Sequence, residues 1–213
     1  MKKRFNVILS FVRPCKVFAD VGCDHGKIAI SVAKSGIAGK VIASDVSEKS
    51  LVKAADLAVN EHIDGLITVL SDGFSKIAEP VDEAVIAGMG GEEIIKILRS
   101  APTIPERLVL QPMKNAEKLR RVLVEELLYP IERDELFFDG DKFYDVIVAD
   151  KNATPVIYTE DDLIWGRDNG GENEDFVRYL RGLIETYRIA LPFAKGDDVR
   201  EKLACAEKKL RSL

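Results

Sequence analysis

A mostly parallel, seven-stranded α/β sheet closed by an antiparallel hairpin, with a small helical unit after it, is the fold class this sequence predicts. Three observations carry that expectation. Short apolar runs ending in an acid or a glycine alternate with segments that are apolar at helical spacing. Two later runs flank Asp139-Gly140, a strong turn dipeptide. After Asn152 the strands stop and long helical stripes take over.

Residues 4–12 place Phe5, Ile8, Leu9 and Val12 at helical spacing, so a short amphipathic helix precedes the first strand, residues 17–21. Residues 26–35 read as a helix capped by Gly36, and residues 40–44 as a strand closing on Asp45. The alanine- and leucine-rich segment 47–60 is helical, and a third strand, 67–70, stops at Asp72-Gly73. Strand four, 83–87, breaks at Gly88-Met89-Gly90-Gly91 and leads into a helix over 92–98. Strand five covers 107–111, a basic helix covers about 116–128, and 132–138 with 143–149 form the hairpin. Strands alternating with helices imply right-handed parallel crossovers, to which the closing hairpin adds an antiparallel member. Residues 153–175, with Pro155, Gly166, Gly170, Gly171 and many acids, read as a connector. Phe176, Leu180, Leu183, Ile184, Tyr187 and Leu191 form one apolar stripe, and Val199, Leu203, Ala206 and Leu210 another. Together they predict a coiled-coil-like helical hairpin. Packing of these helices on the sheet is the alternative. The expected division is a domain over 1–152 and a helical unit over 153–213.

The densest chemistry lies in Val17-Phe-Ala-Asp-Val-Gly-Cys-Asp-His-Gly26. An apolar strand covered on both faces delivers its carboxyl end to the crevice where ligands of open α/β sheets bind. A dinucleotide turn sets glycines and a helix N-terminus against a pyrophosphate. Here Asp20 precedes the turn and Asp24 sits inside it, and two carboxylates repel phosphates. The expected ligand is cationic and free of pyrophosphate, which S-adenosylmethionine satisfies through its sulfonium and ammonium groups. The strand order expected for this chain is also the layout of class I methyltransferases, a Rossmann-like arrangement, whereas a nicotinamide dehydrogenase continues with parallel strands.

On this reading Asp20, Gly22, Cys23 and Gly26 form the cofactor turn. Asp45, followed by Val46, stands where an acid accepts from both ribose hydroxyls. Asp72 can accept from an adenine amino group beside a thin wall at Gly73. Gly88 and Met89 bring backbone close to the ligand, and Gly90 and Gly91 continue that wall toward an acceptor. Gln111 and Pro112 end strand five where an amide can read a base edge. Asp24 and His25 are the candidates for positioning the acceptor; His25 is read as a contact rather than a general base, even though histidine titrates near neutrality.

A net charge of -5 excludes coating of nucleic acid through bulk charge. Local basic clusters remain, at Lys2, Lys3, Arg4, Arg13 and Lys16 and again at Lys114, Lys118, Arg120 and Arg121. They are either solvated helix faces or phosphate contacts. Three cysteines, Cys15, Cys23 and Cys205, have no metal-ligand spacing, so no metal and a reduced compartment are expected. With no apolar run long enough for a bilayer, a cytoplasmic protein without membrane contact is the expectation. The residues leave the oligomeric state open, with a monomer as the working expectation.

Ala19-Asp-Val-Gly-Cys-Asp-His25, Ser71-Asp-Gly73, Ile86-Ala-Gly-Met-Gly-Gly91 and Leu110-Gln-Pro112, in that order and spacing, resemble the bacterial tRNA (adenine(22)-N1)-methyltransferase family over roughly residues 4–151. The resemblance implies a class I methyltransferase domain followed by a helical, coiled-coil-like unit, S-adenosyl-L-methionine as cofactor, tRNA as partner, and N1 of an adenine as acceptor. With tRNA as partner, the N-terminal basic segment, the basic helix with Lys114, Arg120 and Arg121, and the C-terminal hairpin are the expected phosphate contacts. The chain departs from the pattern at Cys23, where many relatives carry serine, at Gly26-Lys-Ile-Ala29, where they carry Ala-Tyr-Leu-Pro, and at Met113, where they carry asparagine. Two alternatives use the same crevice: a methyltransferase acting on a small molecule or a protein, and a noncatalytic RNA-binding protein that keeps the fold.

Overall fold

The computed structural model describes residues 3–213; Met1 and Lys2, the first member of the N-terminal basic cluster, lie outside the described residues. The elements run α1 (Lys3–Ser10), β1 (Cys15–Val21), α2 (Lys27–Ser35), β2 (Ala38–Asp45), α3 (Glu48–Asn60), β3 (Leu66–Leu70), β4 (Glu83–Met89) and α4 (Gly91–Ser100). They continue with β5 (Arg107–Pro112), α5 (Ala116–Arg121), β6 (Ile131–Asp139), β7 (Lys142–Asp150), α6 (Glu160–Trp165), α7 (Glu174–Ala190) and α8 (Asp198–Ser212). One seven-stranded sheet has the order β3-β2-β1-β4-β5-β7-β6, with all strands in one direction except β7, which runs antiparallel to both of its neighbours, β5 and β6. The strands are apolar on both faces because helices cover both. Ala19, Ile42, Ile86 and Leu110 pack beneath α4, and Phe18, Val41, Val85 and Val109 beneath α1 and α2.

Successive crossovers leave the β1–β4 boundary in opposite directions. This is the topological switch point, and it opens a crevice at the carboxyl ends of those two strands.

The structure departs from the sequence reading in three places. The basic helix expected over 116–128 is α-helical only to Arg121; Val122–Glu126 widen into π turns, and Leu128 ends the segment at φ +56°. The connector holds a short helix, α6, whose start is a capping box between Thr159 and Asp162.

The third departure concerns the same connector, which also closes the sheet. β6 is an edge strand, and its free N–H groups at Asp134, Leu136 and Phe138 donate to Asp168, Asn169 and Asp175 side chains at 2.8, 2.8 and 2.9 Å. Three side chains thus replace the missing neighbour strand and block edge-to-edge pairing. Phe176, Leu180, Ile184 and Ala206 of α7 and α8 share a core with Leu136 and Trp165, so the helical pair has its own seam and is also seated on β6.

Candidate active site

A cleft of about 880 Å³ lies at the switch point. Its floor is Asp20, Gly22 and Cys23 after β1 and Ala87, Gly88 and Met89 at the end of β4; Asp24, His25, Lys27 and Ile28 form one side and Arg4, Phe5 and Ile8 the roof.

The turn after β1 is tightly built. Gly22 and Cys23 both donate backbone N–H groups to Ser44 O, at 2.8 and 3.0 Å. Gly22 has φ +72°, and a Cβ there would lie 2.5 Å from the Met89 methyl. Glycine is therefore needed twice over, for the left-handed backbone and for the close approach of Met89. Gly22→Ala is expected to cost about 1–2 kcal/mol of stability and to push Met89 into the cleft, which thermal unfolding and cofactor titration would register together. Asp24 follows at φ +49°, held by its own N–H donating to Asp45 Oδ2 at 3.0 Å.

Asp20 is buried on the cleft floor, and its Oδ2 accepts from Ala29 N at 3.1 Å, in the first turn of α2. Burial pushes its carboxyl up to about 7; the Ala29 N–H opposes the shift and the charge of Asp45 adds to it. No side-chain cation pairs with it among the described residues. Burial, with the charges of Asp20 and Asp45 behind it, also pushes the Cys23 thiol up to about 12, so this cysteine is a neutral, inert wall. Both ring nitrogens of His25 face partners: Nε2 lies 3.0 Å from Lys53 Nζ, and Nδ1 lies 3.5 Å from Asp24 Oδ2.

Seven of the residues singled out in the sequence line the cleft together: Asp20, Gly22, Cys23, Asp24, His25, Gly88 and Met89. Asp45, Val46, Asp72 and Gly73 stand along the same edge of the sheet, outside the lining. Asp45 is tied to the turn through Asp24, and Ser71 N donates to Asp45 O at 3.0 Å just ahead of Asp72. Gly26 caps α2 and packs on Ala54, and Gly91 packs on the Lys114–Asn115 backbone, so both serve close packing and neither lines the cleft. Gly90 is the N-cap of α4, beside the Lys114 side chain. Gln111 and Pro112 are buried behind the wall at the end of β5.

The basic-helix expectation is corrected at two positions. Arg120 is 1% exposed and forms a bidentate pair with Asp134, so it cannot reach a phosphate. Arg121 points outward, but Glu117, Glu125 and Glu160 surround it. Lys114 keeps an exposed side chain without an ion pair among the described residues, as does Lys27 at the cleft rim; Arg4 is half-buried, its guanidinium against the Phe5 and Tyr144 rings. The roof from α1 was absent from the residues expected to bind cofactor or acceptor; only its basic character was readable, through Lys3 and Arg4.

The lining fits a cationic group better than an anionic one. A buried carboxylate without a cation lies on the floor, a second acid lies at the mouth, and the turn's first two N–H groups are spent on Ser44 rather than offered to a phosphate. Among the described residues no cluster of three or more His, Cys, Asp or Glu is placed to hold a metal, and no helix is long and apolar enough to cross a membrane.

Residues 1–147 match the family model described as a methyltransferase domain. A protein of Mycoplasma pneumoniae provisionally named a tRNA methyltransferase is 31% identical over 199 residues, covering 90% of this chain and 92% of its own. The tRNA (adenine(22)-N(1))-methyltransferase of Bacillus subtilis is 29% identical over 163 residues, covering 74% of this chain and 68% of its own. Among solved structures, M. capricolum TrmK in complex with S-adenosyl-homocysteine superposes with a TM-score of 0.91 at 19% identity, over 99% of this chain and 98% of that one.

Proposed function

Because the chain belongs to the methyltransferase family, as its first 147 residues show, we propose that it methylates N1 of an adenine in tRNA with S-adenosylmethionine as donor, the target being the adenine at position 22. The observation that carries the cofactor half is the buried, cation-free Asp20 on the floor of a cleft at the switch point. The acceptor half rests on the two relatives named for tRNA methylation.

When bound, S-adenosylmethionine supplies an electrophilic methyl group on a positively charged sulfur. Asp20 offers a buried carboxylate that would balance positive charge. Gly22 keeps the floor low, and Met89 lies across it as a polarizable apolar surface. Asp45 and Asp72, on the same edge of the sheet, would meet the nucleoside end through hydroxyl and amino hydrogens. Adenine N1 carries a free lone pair, so no proton has to be removed before attack. His25, held between Lys53 and Asp24, therefore positions the base rather than acting as a general base, and orientation supplies most of the rate. The base must leave its stack to present N1. Arg4 and Lys27, which line the cleft, and the exposed Lys114 beside Gly90 are suited to the phosphates on either side of it. The reading places the protein in the cytoplasm with its tRNA.

The test is incubation with labelled S-adenosylmethionine and unmodified tRNA, followed by nucleoside mapping. The expected product is N1-methyladenosine at position 22, with binding that weakens steeply as salt is raised. Absence of label from every tRNA, or a label on a small molecule or protein instead, overturns the reading.

A further inference from the structure

Gln111 ends β5 with its side chain 0% exposed and its carbonyl oxygen Oε1 without a hydrogen-bond partner. Its amide Nε2 is engaged, donating to Pro112 O at 2.9 Å and lying 3.6 Å from Met113 Sδ. Two relations place this orphan acceptor directly behind the cleft wall. Its register partner on β4 is Ala87, which lines the cleft. The Met113 sulfur that Gln111 Nε2 touches is met from the other side by Arg4 Nη1 at 3.8 Å, and Arg4 forms part of the roof. Met113 and Arg4 thus cover the amide end of Gln111 from its Nε2 side. The cover is loosely held: Met113 is 43% exposed, and a thioether is a weak acceptor. A buried carbonyl without a donor destabilises the folded protein, and its retention at the end of a strand that borders the cleft calls for a partner supplied from outside.

We infer that Gln111 Oε1 accepts a hydrogen from the exocyclic N6 amino group of the adenine being methylated, reached when the Met113 and Arg4 side chains part. This rests on the proposed function and adds the residue that selects the base. In the transfer, the N1 lone pair forms the new bond to the methyl carbon while the carbon–sulfur bond breaks and its electron pair stays on sulfur. No proton leaves, and the ring becomes a cation whose charge is shared with N6. The N6–H is therefore a stronger donor in the transition state than in the bound substrate, so a fixed acceptor there accelerates the reaction as well as binding the base. Guanine carries a carbonyl oxygen at the corresponding position, which would face Oε1 acceptor to acceptor.

Gln111→Met keeps the shape and removes the acceptor. The experiment compares wild type and Q111M on tRNA carrying either adenine or purine, which lacks the amino group, at the methylated position. Loss of a hydrogen bond to a group gaining charge predicts a fall in kcat of about 10- to 100-fold for Q111M on adenine. The adenine-to-purine rate ratio should narrow by a similar factor in the variant, whose cofactor Kd is unchanged and whose Tm is equal or higher. Full activity of Q111M, or the same adenine-to-purine ratio in both proteins, overturns the inference. Should Q111M fold poorly, equal wild-type rates on adenine and purine tRNA overturn it without the variant. Absence of any tRNA methylation by the wild type overturns the proposed function itself.

Discussion

Asp20→Asn is expected to raise Tm at pH 8 while weakening S-adenosylmethionine binding. The two effects have one cause. Burial holds the Asp20 carboxyl at about 7 in the folded protein, against 3.8 as its ordinary value, so the folded state keeps a proton that the unfolded chain releases. Stability therefore falls as pH rises from about 4 to about 7, and above that the folded protein carries the full penalty of a buried charge, on the order of 4 kcal/mol. Asparagine removes the charge and can still accept from Ala29 N, but its amide brings hydrogens that need partners, at about 1–3 kcal/mol if they find none. The net gain at pH 8 is about 1–3 kcal/mol, or several degrees in Tm; it should fall to zero between about pH 4.5 and 6 and become a small loss near pH 4, where the charge penalty is gone and the amide's cost remains. Binding runs the other way. A cationic ligand pairs with the carboxylate and not with the acid, so wild-type affinity should improve as pH rises through about 7, whereas D20N should show a flat profile and a Kd about 10- to 100-fold weaker. Calorimetric titration at two pH values checks both, and a variant that binds like wild type, or melts earlier at pH 8, contradicts the role given to Asp20.

Asp20 also shows which parts of the site could be read before the fold was known. An apolar run ending in Asp and Gly is local information: the strand, its carboxyl end and the turn are neighbours in sequence, and the switch point follows from the alternation of strands and helices. The same holds for Gly22, Asp24 and Gly88. The roof is different. Residues 4–12 announce an amphipathic helix, but its seat over the cleft depends on Arg4 N donating to Asp139 Oδ2, 135 residues away, and on the guanidinium lying 5.3 Å from the Tyr144 ring. No periodicity encodes such a contact. The helix inside the connector is hard to read for another reason. α6 is six residues long, too short for a periodic stripe, and only its capping box, Thr159 with Asp162, marked it. The edge-closing role of Asp168, Asn169 and Asp175 was hidden because acids and amides near glycines read equally well as solvated loop.

Arg120→Met is expected to cost about 3–5 kcal/mol, roughly 10 °C in Tm, and to leave S-adenosylmethionine affinity unchanged in the protein that remains folded. Four basic residues within eight positions look like a phosphate-binding helix face, yet α5 turns this one inward. Its Nε and Nη2 grip Asp134 at 2.8 and 2.9 Å, Nη2 also donates to Asp145 at 2.6 Å, and Nη1 reaches Ile164 O in α6 at 3.3 Å. Burial alone would push the guanidinium down, but the two carboxylates outweigh it and hold it above its ordinary range. Gly166 makes room for the cluster: at φ +87°, a Cβ there would fall 2.9 Å from Asp134 Oδ1 and 3.0 Å from Arg120 Nη2. Removing Arg120 leaves the Asp134 carboxylate, 1% exposed, without its counterion. The penalty is that of an uncompensated buried charge, so R120M/D134L should recover most of the loss. Arg120 joins α5 and the β6–β7 hairpin to α6, so the single variant should also expose the segment after Asp150 to limited proteolysis before the sheet unfolds. Charge reversal at Arg121 makes the contrast: its three carboxylate neighbours are on the surface, where exposed pairs contribute about 0–1 kcal/mol, and the effect on Tm should be small. An R120M protein that melts like wild type but binds tRNA poorly would return Arg120 to the substrate face and contradict the burial assigned to it.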